Sequence, residues 1–466
     1  MERYYLAVDI GASGGRHMLA HMEDGKLILE EIYRFQNGMT EKDGELCWDV
    51  DSLFAEIKTG MKKCAQEGKI PVSMGIDTWA VDFVLLDKQN QRIGNVVAYR
   101  DKRTDGVDNR VYRIIPEERL YERTGIQKQK FNTIYQLMAL RQMKAEYLES
   151  AQKLLLIPDY FHFLLTGVAA TEYTNATTTQ LVDPNTKNWD MGLIEKLNFR
   201  GDIFQEIRLP GTELGYLTEE MQAEVGFNCK VVLPATHDTA SAVMAVPAAG
   251  DDVLYISSGT WSLLGTELPE ANCSKESRMR NFTNEGGYAY RFRYLKNIMG
   301  LWMIQSVKRE IGGELSFGEI CEMASKEKIT SLVDCNDERF LNPENMTKEV
   351  QKACKESGQQ VPGGLAQTAA VIYQSLANCY AEAIEGLEVV TGKHYEKIHI
   401  VGGGANADYL NSLTAKTTKK QVLAGPVEAT ATGNVMAQMI ADGVWRNLQD
   451  ARACIFDSFP LHKFEA

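Results

Sequence analysis

No C-x-x-C pair occurs among the nine cysteines, at 47, 64, 229, 273, 321, 335, 354, 379 and 454, and their number is odd. That excludes the common zinc modules and argues against a disulfide framework. It points to reduced thiols in a cytoplasm, most of them small core residues. No run of about 18 apolar residues occurs, so no transmembrane helix is expected. The first apolar stretch, Tyr4 to Ile10, is broken by Asp9 and followed by glycines, unlike a secretory leader. Basic residues are in the minority: 50 Lys and Arg against 63 Asp and Glu give a net charge of −13. With no basic run either, nothing suggests a polyanion groove and no nucleic-acid partner is expected. None of the three Gly-Lys pairs (25–26, 68–69, 392–393) is followed by Ser or Thr, so the Walker A loop is absent. The seven histidines include no H-E-x-x-H.

What remains is a chain of 466 residues with 44% hydrophobic and 24% charged residues. That suits a globular protein of two large domains. The N-terminus reads as strands: Tyr4 to Val8, a turn at Gly11 to Gly15, Arg16 to Met22, a hairpin signal at Asp24-Gly25, then Leu27 to Arg34. A helix follows, capped by Asp49 or Asp51, with Leu53, Phe54, Ile57, Met61 and Cys64 as its apolar stripe. Strand Val72 to Ile76 ends at Asp77. A similar opening recurs at Val253 to Ser258, the turn Ser258-Gly259-Thr260, and Trp261 to Gly265. A long helix around Leu365 to Leu387, strand Lys397 to Val401, a helix from about Asp408, strand Gln421 to Leu423 and a last helix from about Glu428 complete it. The pattern is two α/β halves of related design, 1–246 and 247–466, with the boundary in 244–252.

Three small-residue turns are candidate anion sites. In Asp9-Ile10-Gly11-Ala12-Ser13-Gly14-Gly15-Arg16, backbone N–H groups can converge on a phosphate without bulky Cβ atoms in the way. Ser13 adds a hydroxyl, Arg16 a charge, and Asp9 could hold a hydrated Mg²⁺. An ordinary glycine-rich hairpin is the alternative. The same residues spell G-x-S-x-G, but a nucleophile elbow needs a helix after the turn, and a strand is expected there. Ser257 to Ser262 is the second such turn. Gly402-Gly403-Gly404-Ala405-Asn406-Ala407 is the third, and it also fits G-x-G-x-x-A of dinucleotide enzymes; no complete βαβαβ half follows it.

Two segments offer substrate groups. Thr236-His237-Asp238-Thr239-Ala240-Ser241 follows the short strand Val231 to Leu233 and sets a carboxylate among small residues, where it can take a proton from a hydroxyl. Asp77-Thr78-Trp79-Ala80-Val81-Asp82-Phe83 places two acids and an indole at a strand end, either to bind a sugar or as a buried Trp at a hairpin. Tyr99-Arg100-Asp101 is a hydroxyl-binding pair or a structural salt bridge.

Together these motifs resemble the FGGY carbohydrate kinases, of the glycerol kinase and xylulokinase type, over nearly the whole chain. The strings Leu46 to Val50, Gly75 to Phe83, Tyr99 to Asp101 with Arg103-Thr104, Asn284 to Gly287 and Leu295 to Trp302 make the resemblance specific. It implies an α/β fold of two actin-like (ribonuclease H-like) ATPase domains with a cleft between them. The N-terminal half would bind sugar and phosphate, and the C-terminal half nucleotide. The implied reaction is ATP-dependent phosphorylation of L-rhamnulose at its 1-hydroxyl, in a cytoplasmic monomer or homodimer. Another ketose or polyol, such as L-fuculose or L-xylulose, and a non-catalytic actin-like module are the alternatives. By the resemblance Asp238 is the catalytic base, and Ala80, His237, Asp238, Thr239 and Asn297 contact the sugar. Ala12, Ser13, Gly14, Gly15, Arg16, Thr260, Gln305 and Gly403 contact ATP. Two positions depart from the pattern: Gly14 stands where a serine is usual, and Ala80 where glycine is frequent.

Overall fold

A computed structural model describes every residue except Met1, Ala249 and Asp251. The last two fall in the expected linker 244–252 and lie outside the described residues. The chain forms two compact units. The first takes 1–245, and also Leu268–Tyr294 and Thr430–Ser458; the second takes Val246–Glu267, Leu295–Ala429 and Phe459–Ala466. The units are therefore interleaved in sequence.

The first unit is built on strands β1 (Tyr4–Gly11), β2 (Gly14–Glu23), β3 (Lys26–Gln36), β4 (Pro71–Thr78), β5 (Glu213–Tyr216) and β6 (Lys230–Val232). Their order is β5-β6-β4-β1-β2-β3. β1 to β3 form an antiparallel meander, β4 runs parallel to both β1 and β6, and β5 closes the edge antiparallel. β1 and β4 are central strands, which is why they read as near-continuous apolar runs rather than alternating ones. The Asp24-Gly25 hairpin forms with φ of 48° and 78°, the left-handed pair that a tight β2–β3 turn needs. Helix Val50–Gln66 starts where Asp49 accepts a hydrogen bond from Ser52 N at 3.0 Å. Its Leu53, Ile57, Met61 and Cys64 are buried at helical spacing, against the sheet. At Gly60 a Cβ would lie 2.3 Å from the His17 ring, so a glycine lets helix and sheet meet there.

The second unit repeats the plan. It is built on β7 (Leu254–Ser258), β8 (Trp261–Leu268, as far as Glu267), β9 (Phe292–Met299, from Leu295), β10 (Lys397–Val401), β11 (Gln421–Ala424) and β12 (His462–Phe464), six strands of a seven-stranded sheet that run in the order β9-β8-β7-β10-β11-β12. β7 pairs antiparallel with β8 and parallel with β10; β10 and β11 are parallel, and β12 is antiparallel at the edge. The duplication expected from pattern alone thus appears in strand pairing. One expectation is corrected: the helix Ala429–Ala441 does not end the chain. Helix Leu448–Ser458 and β12 follow it, and β12 covers the edge of β11. Among the described residues no helix is long and apolar enough to cross a membrane.

Candidate active site

Three carboxylates gather at the ends of adjacent strands of the first unit. Asp9 on β1 and Asp77 on β4 are register partners. Beyond the end of β4 the ladder continues: Thr78 N donates to Thr236 O at 2.9 Å and Thr78 bridges to His237. This delivers Asp238 to the start of helix Asp238–Met244.

Asp9 is nearly buried and its Oδ2 accepts from Arg16 Nε and Nη2, each at 3.1 Å. Asp77 is fully buried; its Oδ2 accepts from Asn434 Nδ2 at 2.6 Å, while its Oδ1 has no hydrogen-bond partner. Burial, then the Asp9 charge, with Asp238 adding, hold the Asp77 pKa well above the usual carboxylate range, against the Asn434 hydrogen bond. Asp238 leaves about 31% of its side chain exposed. Its Oδ1 accepts from Thr239 N at 2.5 Å and Thr239 Oγ1 at 3.1 Å. The packing around it raises its pKa, and Asp9 adds to this, whereas His237 and the Thr239 donors lower it. A carboxylate with one oxygen held and a raised pKa can accept a proton at the other.

Two supports of this carboxylate were missed in the sequence. Buried Glu172 accepts from Thr236 N (3.0 Å) and Oγ1 (2.8 Å), and from Thr174 N (2.8 Å) and Oγ1 (2.5 Å). Thr174 Oγ1 in turn receives His237 N at 3.3 Å. Gly433 lies so close to the helix of Asp238 that a Cβ would sit 1.7 Å from Ser241 O. Neither could be found from one sequence, because both act across long separations on backbone atoms.

The first small-residue turn is the β1–β2 hairpin, with Gly11 paired to Gly14 and Ala12-Ser13 at its tip. Gly15 is required by Phe35, whose ring would be 2.2 Å from a Cβ there. A strand, not a helix, follows, so the nucleophile-elbow reading fails on geometry.

The Trp79–Asp82 segment resolves toward the buried alternative. Asp82 Oδ2 accepts from Trp48 Nε1 (2.6 Å), Trp79 Nε1 (3.0 Å) and Tyr99 N (3.1 Å), and its Oδ1 from Gln136 Nε2 (3.0 Å). Its oxygens are engaged within the protein. The indoles of Trp48 and Trp79 pack with centroids 4.1 Å apart. Half-buried Ala80 begins a tight turn in which Asp82 N returns to Ala80 O at 2.9 Å and Val81 takes φ 68°. A β-branched residue in that region is strained, and such strain gathers at ligand sites. Asp101 is structural: it accepts from Leu46 N and Arg103 N, each at 2.8 Å.

In the second unit the structure joins the other two turns. Gly404 packs on the β7–β8 turn so tightly that a Cβ would lie 1.9 Å from Ser258 Oγ, and Gly402 takes φ 84° beside Ser258 O. Gly403 faces open space. Trp302 N donates to Thr260 O at 3.0 Å, which ties that turn to helix Trp302–Glu310 carrying Gln305. Thr260, Gln305 and Gly403 thus sit on connected backbone. Asn297 is half-buried on β9. The mixed sheet, with β8 and β12 antiparallel, is not the parallel sheet of a dinucleotide fold, so the G-x-G-x-x-A reading falls.

Comparison with known proteins agrees with this architecture. The model of the N-terminal domain of the FGGY family of carbohydrate kinases matches residues 4–245, and that of the C-terminal domain matches 254–441. The chain belongs to the FGGY family of carbohydrate kinases. Among family members, the chain is 52% identical over 461 residues to a rhamnulokinase of Halalkalibacterium halodurans (strain C-125), covering 99% of this chain and 98% of that one. It is 44% identical over 462 residues to a rhamnulokinase of Bacillus subtilis (strain 168), covering 99% and 95%. The solved gluconate kinase from Lactobacillus acidophilus matches 100% of this chain and 94% of its own with a TM-score of 0.81 at 17% identity. Plasmodium falciparum glycerol kinase with ADP matches 99% and 94% at 0.76 and 13%. At these identities the structures speak for the FGGY kinase fold.

Proposed function

We propose that this FGGY kinase transfers the γ-phosphoryl group of ATP to the 1-hydroxyl of L-rhamnulose. Two near-full-length relatives bear the name rhamnulokinase, and identity of 52% and 44% supports the same acceptor here. The observation that carries the chemistry is the Asp238 carboxylate: accessible, pinned through Oδ1 and raised in pKa. It takes the hydroxyl proton as the sugar oxygen bonds to the γ-phosphorus and the bridging P–O bond to ADP breaks. His237, Thr239, Ala80 and Asn297 orient the sugar. Ala12 to Arg16, Thr260, Gln305 and Gly403 offer backbone and side-chain donors to ATP. Phosphoryl transfer depends mainly on positioning and electrostatics, so such turns suffice without a P-loop lysine.

ATP travels with Mg²⁺, which neutralises charge on the phosphates. Mg²⁺ keeps several waters and needs only one or two protein carboxylates. Asp9 fits that demand: it is the register partner of Asp77, whose buried Oδ1 has no hydrogen-bond partner. In this reading 1–246 serves sugar and phosphates and 247–466 serves the nucleotide. The nine unpaired cysteines suit a reducing cytoplasm, and the enzyme works as a monomer or homodimer.

The test is coupled ADP release from ATP-Mg with a panel of ketoses and polyols. Turnover favouring L-rhamnulose that collapses by a factor on the order of 10² to 10⁴ in Asp238→Asn supports substrate and base together. Preference for L-fuculose or L-xylulose overturns the acceptor, and full turnover by Asp238→Asn overturns the base.

A further inference from the structure

Behind Asp238 lies a chain of charged groups within the first unit. His237 Nε2 is 3.5 Å from Asp238 Oδ1. On the other side of the ring, His237 Nδ1 is 3.1 Å from Arg293 Nη2 and 3.4 Å from Glu285 Oε2. Arg293 is fully buried; its Nη2 is 3.1 Å from Glu285 Oε2, and its Nε donates to Gly286 O at 2.8 Å. A buried guanidinium needs this pairing, because an isolated charge there is very costly.

A guanidinium has donors only and cannot accept. The shorter contact of His237 Nδ1 is to Arg293, so Nδ1 is the accepting nitrogen. The ring proton then sits on Nε2, the nitrogen that faces Asp238. A buried partner on one ring nitrogen fixes the function of the other. With Thr239 N and Oγ1 already on Oδ1, the ring adds a third donor aimed at that same oxygen.

We propose that Arg293 and Glu285 are positioning residues for phosphoryl transfer: they lock His237 as the Nε2–H tautomer, which aims a donor at Asp238 Oδ1 and leaves Oδ2 to receive the sugar's proton. Neither residue needs to touch the substrate. Glu285 neutralises and orients Arg293; Arg293 orients the ring; the ring and Thr239 orient the base. The 3.5 Å reach from Nε2 to Oδ1 is of the kind that shortens when substrate binds. This rests on Asp238 being the base, and the experiment separates the two ideas.

Ring-nitrogen shifts of the full chain labelled with ¹⁵N-histidine, with His237 assigned by its loss in His237→Gln, read the tautomer directly. The expected result is an unprotonated Nδ1 and a protonated Nε2 at neutral pH. In Arg293→Met that preference weakens. In both Arg293→Met and Glu285→Gln, kcat falls on the order of 10- to 100-fold while the KM for ATP stays within about threefold. A proton on Nδ1, donated to Glu285, overturns the assignment. So does wild-type kcat in both variants while Asp238→Asn is inactive; the base then stands and the positioning chain does not. Full turnover by Asp238→Asn instead removes the base itself. The shifts are read on the unaltered chain, so the test holds even where Arg293→Met does not fold.

Discussion

Gly433→Ala adds a single methyl group and is expected to damage both stability and turnover. The added Cβ meets Ser241 O at 1.7 Å, Ser241 C at 2.4 Å and Ser241 Cα at 2.9 Å. These are backbone atoms of helix Asp238–Met244, so no side-chain rotation relieves the clash. The helices must separate by about 1 Å or more. Forcing extra volume into packed contacts costs typically 1–3 kcal/mol. Moving a catalytic group by about 1 Å costs on the order of 10²-fold in rate. Ser241 Oγ is bonded to Ala235 O at 2.7 Å, so the shift carries through to the segment that holds Asp238. Denaturant midpoints and steady-state kinetics should show a lower midpoint and a fall in kcat larger than any change in the KM for ATP. Gly364→Ala is the control, because a Cβ there meets nothing within 4 Å and φ is an unstrained 179°. Gly364 is a helix N-cap, so this change should cost up to about 1 kcal/mol but leave kcat unchanged. If Gly433→Ala matches Gly364→Ala in both assays, the close approach does not position Asp238.

Two further outcomes follow from the geometry. Gly404→Ala puts a Cβ 1.9 Å from Ser258 Oγ and 2.4 Å from Ser258 Cβ, so it should raise the KM for ATP about tenfold or more by displacing the β7–β8 turn. Adding Ser258→Gly removes both atoms, and a double-mutant cycle should recover part of the loss; strict additivity would refute the contact. Asp82 is pushed up to about 6 by burial, against its Trp48, Gln136 and Trp79 hydrogen bonds and the Arg103 charge, from an unfolded value of about 3.9. The folded protein therefore keeps a proton there that the unfolded chain has released. That stabilisation is present in full below about pH 4 and fades as the pH rises toward 6. Comparing Asp82→Asn with wild type isolates this contribution, and identical pH profiles of unfolding would refute it.

The repeated fold was legible because its signals are local. Asp24-Gly25, the capping Asp49 and the apolar runs of β1 and β10 each report on a few neighbouring residues. Most strands of both units followed from them, but β5, β9 and β12 did not. Segment membership was not legible: Leu268–Tyr294 and Thr430–Ser458 join the first unit through contacts made far from their sequence neighbours. The tail past Ala441 was read short because Leu448–Ser458 and β12 carry weak local patterns. At the site, Asp9, Asp77 and Asp238 stood out as acids at strand ends. Asp82 looked equally available, and only the structure shows its oxygens occupied by two indoles, an amide and a backbone N–H. Glu172, Asn434, Glu285 and Arg293 act through buried hydrogen bonds across the fold, and a single sequence carries no sign of such pairing.

The Trp48–Asp82–Trp79 cluster gives the protein an optical property. Two of its six tryptophans lie with rings 4.1 Å apart and share one carboxylate oxygen. Electronic coupling between closely packed indoles, here tilted by 36°, makes their near-ultraviolet circular dichroism depend on mutual angle, and indole emission responds to an adjacent negative charge. The strained turn at Val81 sits between Trp79 and Asp82, so any rearrangement of Ala80 is written into the spectrum of the unlabelled chain.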